Sequence, residues 1–126
     1  DIIKKSFKKK IILIDRFTDS TIAYQHYGMG VNLNLIETLN KTLLRNINVS
    51  FTFLNIVNQK NLQKRLKQRK SLNRYDKFEM SFYNKVQRGF IKLSKKQKNK
   101  YQLINSNLEI DKNEKLILSK INKLIK

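Results

Sequence analysis

The sequence predicts an α/β fold, a parallel sheet of short buried strands with flanking helices. Two observations predict it. Short, largely apolar runs, Ile11–Ile14, Phe51–Leu54 and Tyr101–Ile104, each stop abruptly at polar residues, as strands buried on both faces do. Between them lie longer segments whose apolar residues recur at three- and four-residue spacing, the period of an amphipathic helix. Strands alternating with helices imply a parallel sheet. No Pro- or Gly-rich linker and no internal repeat divides the 126 residues, so residues 1–126 read as part of one domain.

Each element has a local reason. Asp1 to Phe7 reads as the tail of a helix, and Lys8–Lys10 turn the chain into the strand Ile11–Ile14. Asp19 to Tyr27 predicts a short helix, with Asp19 or Ser20 as N-cap for its free amide donors. Gly28-Met29-Gly30 ends it, because glycine tolerates left-handed backbone. Asn32 to Leu44 is a second helix; Leu35, Leu39 and Leu43, beside Ile36 and Leu44, predict its core face. Phe51–Leu54 is the second strand and ends at Asn55. Gln59 to about Lys70 is a basic helix. Glu79 to Leu93 is a long one, striped by Phe82, Val86, Phe90 and Leu93. Tyr101–Ile104 runs out into Asn105-Ser106-Asn107. Asp111 with Glu114 predicts a capping box for a last helix that buries Ile117, Ile121 and Leu124.

Composition narrows the function. There is no cysteine and a single histidine, His26, which excludes a disulfide framework, a thiol nucleophile and a His-rich metal site. No apolar run approaches the roughly 18 residues of a membrane helix. The chain begins at Asp1 with no targeting pattern before its first strand, and reads as a piece of something longer. A formal charge of +19 and a pI near 10.3 attract nucleic acid in general. Here Lys, Asn and Ile are abundant throughout and the cations are spread along the chain, so composition accounts for the charge and no nucleic-acid partner is expected.

Ligands of open α/β sheets bind outside the carboxyl ends of the strands. Asp15-Arg16 stands at such an end, followed by Ser20, Thr21, Tyr24 and Gln25. Thr21, Tyr24 and Gln25 fall at i, i+3 and i+4, one face of an α-helix. A guanidinium grips phosphate in bidentate fashion, while amide, hydroxyl and tyrosine side chains suit the edge and face of a base. The group suits an anionic, planar ligand. A second group, Lys64 to Lys70 with Asn73-Arg74-Tyr75-Asp76, could close basic side chains over a polyphosphate. With glycine only at 28, 30 and 89, a GxxxxGK[ST] phosphate loop is absent from this sequence.

These residues carry a resemblance. DRFTDSTIAYQHYGMG, Asp15 to Gly30, resembles the DR(Y/H/F)xxSxxAYQGxGRG segment of bacterial thymidylate kinases. KRLKQRKSLNRYD and FYNKVQRGF resemble that family's basic lid with its DRxE motif and the FFxRVRxGY helix after it. YQLINSN is similar to its last strand. The resemblance runs from about Lys9 to the end.

It implies a P-loop nucleoside-monophosphate-kinase-like parallel sheet with three of five expected strands present. The phosphate-loop strand would lie between Ile11–Ile14 and Phe51–Ile56. It also implies transfer of the γ-phosphate of ATP to dTMP, giving dTDP, with Mg²⁺ and no dedicated protein metal site. By the same resemblance Arg16 would hold the dTMP phosphate and Asp15 would organise the acceptor and metal region. Ser20, Thr21 and Gln25 would face the thymine edge, and Tyr24 would line the sugar. Arg65, Arg69 and Arg74 would lie over the phosphates. Homodimers and a cytoplasmic location are further implications. Met29 replaces the Arg of GRG, His26 a common Gly, Asn73 the Asp of DRxE, and Val49-Ser50 a Pro-Asp. The alternatives are a small basic nucleic-acid-binding protein and a P-loop nucleoside-monophosphate kinase for another base.

Overall fold

The computed structural model describes residues 2–69, 71 and 78–126. Helix α1 (Ile2–Ser6) leads into residues 7–17, which form neither helix nor strand. A single α-turn, α2 (Thr18–Thr21), passes directly into a π-helix, Ile22–Gly28. Then follow α3 (Leu33–Leu44), β1 (Thr52–Ile56), α4 (Gln59–Gln68), α5 (Met80–Lys96), a short 3₁₀ turn (Lys98–Lys100), β2 (Tyr101–Asn105) and α6 (Ile110–Ile125).

Strands β1 and β2 pair in parallel, with Thr52 opposite Tyr101 and Ile56 opposite Asn105. The Ser106 amide, 2.8 Å from the Ile56 carbonyl, carries the pairing one step past the ladder. Leu54 and Ile104 are buried. Helix α5 lies against β1, and its Gln87 Oε1 accepts the Val57 N–H at the strand's end at 3.2 Å. Asparagine caps start two helices. Asn32 accepts from the Leu35 amide at 3.2 Å, and Asn58 accepts from that of Asn61 at 2.8 Å; each satisfies a donor the first turn leaves free.

The core forms where the π-helix crosses α5. Ala23, Phe82 and Val86 are buried together, with Tyr24 and Phe90 packed on them. Tyr24 meets Phe82 and Phe90 edge-on, with centroids 6.0 and 6.3 Å apart, a favoured arrangement of aromatic quadrupoles. Glycines set the approach. A Cβ on Gly89 would stand 2.6 Å from the Tyr27 ring, and one on Gly28 would stand 2.6 Å from the Phe82 ring. The backbone of each helix therefore receives an aromatic ring of the other.

Several expectations are corrected. Ile11–Ile14 makes no ladder, and Ile11, Leu13 and Ile14 are exposed, Leu13 by 81%. A buried strand needs a neighbour to take its amides and carbonyls, and none is present among the described residues. The described sheet thus has two strands rather than three. The Leu35–Leu39–Leu43 stripe is exposed by 56, 52 and 65%, and on α3 only Ile36 is buried. The periodicity is there, but no described element packs on that side. Neither Asp19 nor Ser20 caps α2, since Phe17 holds the N-cap position without a side-chain bond. The Asp111/Glu114 capping box does not form either; the helix begins at Ile110 after Glu109, again without a side-chain cap bond. On α6 Ile117 and Ile121 are half-buried and Leu124 is exposed. On α5 the stripe holds at Phe82 and Val86, while Phe90 and Leu93 are half-buried.

Gly89→Ala tests the interlock. Alanine gains about 1 kcal/mol of helix propensity over glycine, but overpacking a filled core costs roughly 1–3 kcal/mol. The stem atoms of Tyr27, not its far end, stand in the way. A net loss, read as a lower urea midpoint, is the expected outcome.

Candidate functional site

The turn after residues 11–14 is held open by backbone geometry. Arg16 has φ +60°, a left-handed conformation that costs a non-glycine residue about 1–2 kcal/mol. The turn brings its guanidinium 5.4 Å from the centre of the Tyr24 ring, a cation–π contact. Asp15 is exposed beside it. Arg16 and Tyr24, two residues singled out in the sequence, are thus brought together eight positions apart.

The remaining members of the group sit differently from the sequence expectation. Thr21 closes α2 and is exposed, Ser20 is half-buried, and Tyr24 and Gln25 are half-buried within the π-helix. A π-helix closes its bonds at i→i+5, is rare, and occurs mostly as a single-turn bulge in an α-helix. Its wider turn takes Thr21, Tyr24 and Gln25 off strict α-helical register. Part of the Tyr24 ring serves the core, so it has a packing role as well as facing Arg16. At the far end His26 Nδ1 donates to the Val31 carbonyl at 2.8 Å, the Gly30 amide bonds the His26 carbonyl at 2.9 Å, and Gly30 at φ +80° turns the chain away. His26 is a terminating group here.

A second polar cluster gathers beyond the carboxyl ends of β1 and β2. Asn107 Oδ1 accepts from the Asn58 amide (3.1 Å) and from Asn61 Nδ2 (2.9 Å). Asn107 in turn donates to Asn105 Oδ1 (2.8 Å), and Asn113 of α6 donates to the Asn105 carbonyl (2.9 Å). Arg65 of α4 donates to the Ser106 carbonyl, which ties the basic helix to this loop. Arg69 follows α4 and is exposed. Arg74, with Asn73, Tyr75 and Asp76, lies outside the described residues. The asparagine network is missed by sequence reasoning, although Asn105-Ser106-Asn107 after Ile104 and Asn58 with Asn61 after Val57 are its signal.

Between the two regions runs one side-chain bond the sequence did not disclose. The Tyr101 hydroxyl, at the start of β2, donates to Asp19 Oδ2 of α2. Burial, and then the Asp19 carboxylate, push the Tyr101 hydroxyl pKa well above its ordinary value of 10.0.

Comparison with known proteins decides the family. A family model described as thymidylate kinase matches residues 1–117. The chain belongs to the thymidylate kinase family. It is 33% identical over 124 residues to a thymidylate kinase of Wolbachia sp. subsp. Brugia malayi, covering 98% of this chain and 58% of that one. A thymidylate kinase of Wolbachia from Culex pipiens is 33% identical over 105 residues, covering 83% of this chain and 49% of the other. The crystal structure of an Ehrlichia chaffeensis thymidylate kinase superposes with a TM-score of 0.65 at 31% identity, over 99% of this chain and 56% of that one. The fold is therefore the α/β thymidylate kinase fold. This member spans about half the length of the curated relatives it matches.

Tyr101 gives a pH test. A tyrosine whose folded pKa is raised favours the folded state below its unfolded pKa, and that advantage is lost as the unfolded chain ionises. The stability of the unmodified chain relative to Tyr101→Phe should fall as pH rises past about 10. Unfolding free energies of the two proteins between pH 8 and 11 check this, since lysine titration is common to both.

Proposed function

We propose that this chain forms the acceptor-nucleotide and lid portion of an enzyme that transfers the γ-phosphate of ATP to dTMP, giving dTDP. Arg16 carries the reading. It stands in the DRFTDSTIAYQ segment, held in left-handed backbone with its guanidinium over Tyr24, where a phosphate clamp beside a flat nucleoside is wanted. In the reaction a dTMP phosphate oxygen attacks the γ-phosphorus of ATP, and the bond to the β-phosphate oxygen breaks to release ADP. Arg16 holds the acceptor phosphate. Ser20, Thr21 and Gln25 read the thymine edge while Tyr24 lines the sugar. Arg65, Arg69 and Arg74 offset negative charge on the phosphates, the main work in phosphoryl transfer.

Magnesium fits this chain in one limited way. Mg²⁺ in phosphoryl-transfer sites is held by one or two carboxylates plus substrate phosphates. Among the described residues no group of three metal-ligating side chains is present, and Asp15 is the carboxylate at the acceptor turn. Asp15 would orient the ion, which would supply neutralisation of phosphate charge.

We further propose that turnover requires the half of the relatives' length outside this match. The exposed Ile11, Leu13 and Ile14, the uncovered Leu103 and the exposed Leu35–Leu39–Leu43 stripe support it, because a parallel sheet is normally covered on both faces. The absence of a phosphate loop from this sequence supports it too. The complete enzyme would be a cytoplasmic homodimer.

The chain should bind dTMP in calorimetric titration, and Arg16→Ala should weaken that binding roughly 10- to 100-fold, the worth of hydrogen bonds to a charged group. Unchanged binding would mean the phosphate site is elsewhere. ATP-dependent dTDP formation by the 126-residue chain alone would overturn the proposed incompleteness. Preference for UMP or CMP would assign another base, and salt-dependent RNA binding with no response to dTMP would favour a nucleic-acid partner.

A further inference from the structure

Helix α2 is a single turn with little of its own to hold it. Its N-cap position is Phe17, whose side chain accepts no amide, and none of its residues is buried. The residue before Phe17, Arg16, is in left-handed backbone. It is the first turn of a helix that continues into the π-helix, and an end turn with free amides frays unless something holds it. Yet this turn carries Ser20 and Thr21, and it sets the direction in which the π-helix departs.

Asp19 supplies the missing hold. Its carboxylate accepts a hydrogen bond from the Tyr101 hydroxyl across 82 positions of sequence. Tyr101 itself is fixed by its place in the ladder opposite Thr52. Both partners are half-buried, where a charge-assisted hydrogen bond is worth more than at the surface. The Asp19 carboxylate has thus left the capping role its position suggests and serves a long-range bond.

We propose that the Asp19–Tyr101 hydrogen bond is a latch that pins the α2 turn to the sheet and so places Ser20 and Thr21 for recognition of the acceptor base. Asp19 and Tyr101 are positioning residues, and their link to the base rests on the dTMP reading given above. The latch itself does not. With the bond cut, the turn is free to unwind while the Tyr24–Phe82–Phe90 packing stays in place.

Tyr101→Phe keeps the ring and removes the hydroxyl, which also meets the Thr52 side chain; Asp19→Asn leaves that contact in place, keeps the shape and removes the charge. Amide hydrogen exchange of the 126-residue chain should quicken about tenfold at residues 18–22 in each variant, the size expected for one hydrogen bond to a charged group. Rates in α5, β1 and β2 should stay as they were. The double variant should match the single ones, the signature of one shared interaction. The ratio of dTMP to dCMP affinity should fall several-fold, which general loosening would not produce. Unchanged exchange at 18–22, a uniform rise over the chain, or additive single effects would each overturn the latch. Local exchange changes with an unaltered dTMP to dCMP ratio would overturn the positioning role. If the unmodified chain binds no dTMP, the acceptor reading fails, and the exchange data alone decide the latch.

Discussion

The structure depends on the close crossing of the π-helix Ile22–Gly28 with α5. Glycines at 28 and 89 let an aromatic ring from each helix press onto the backbone of the other, and Ala23, the most completely buried core side chain, fills the space between. Burying large apolar side chains there contributes on the order of 1.5–3 kcal/mol each. Two members of the candidate site, Tyr24 and Arg16, are placed by this crossing. Tyr24 is held by Phe82 and Phe90, and the Arg16 guanidinium lies over the ring so fixed.

Around that crossing the chain divides into well-held and poorly covered parts. The β1–β2 pair is extended past its ladder by the Ser106 amide and closed by asparagine side chains. By contrast, residues 11–14, the outer side of α3 and much of α6 present apolar side chains to water. Scattered exposed leucines are ordinary. Stripes repeating with helical or strand period are not, because the period itself arises from burial on one side. Their exposure stands beside a length about half that of the relatives the chain matches.

Much was legible in the residues. The β1, α4, α5 and β2 segments stand close to where apolar period and polar stops put them, and the Asp15–Gly30 segment carried the family. The misses share one cause. The strand at Ile11–Ile14 and the core face at Leu35, Leu39 and Leu43 were inferred from local pattern, and a pattern states only that a side chain is suited to burial. It does not say whether a partner is at hand. Asp19 was misread for a related reason: an acidic residue near a helix start is a cap by local rules, and its actual partner lies 82 positions away.

By itself, then, the sequence determined most of the element types, the alternation that makes the sheet parallel, and the Asp15–Gly30 segment that carries the family. Those depend on local backbone preference and side-chain chemistry, which are present in every short segment. Only the tertiary structure decided that the helix Ile22–Gly28 is π-wound rather than α, that Arg16 lies over Tyr24, and that Asp19 bonds Tyr101. Those outcomes depend on which distant groups meet when α5 and β2 pack, and no local pattern encodes a meeting. The Asp15–Gly30 stretch is chemically defined by its own residues. Its shape is set by the helix and strand that hold it.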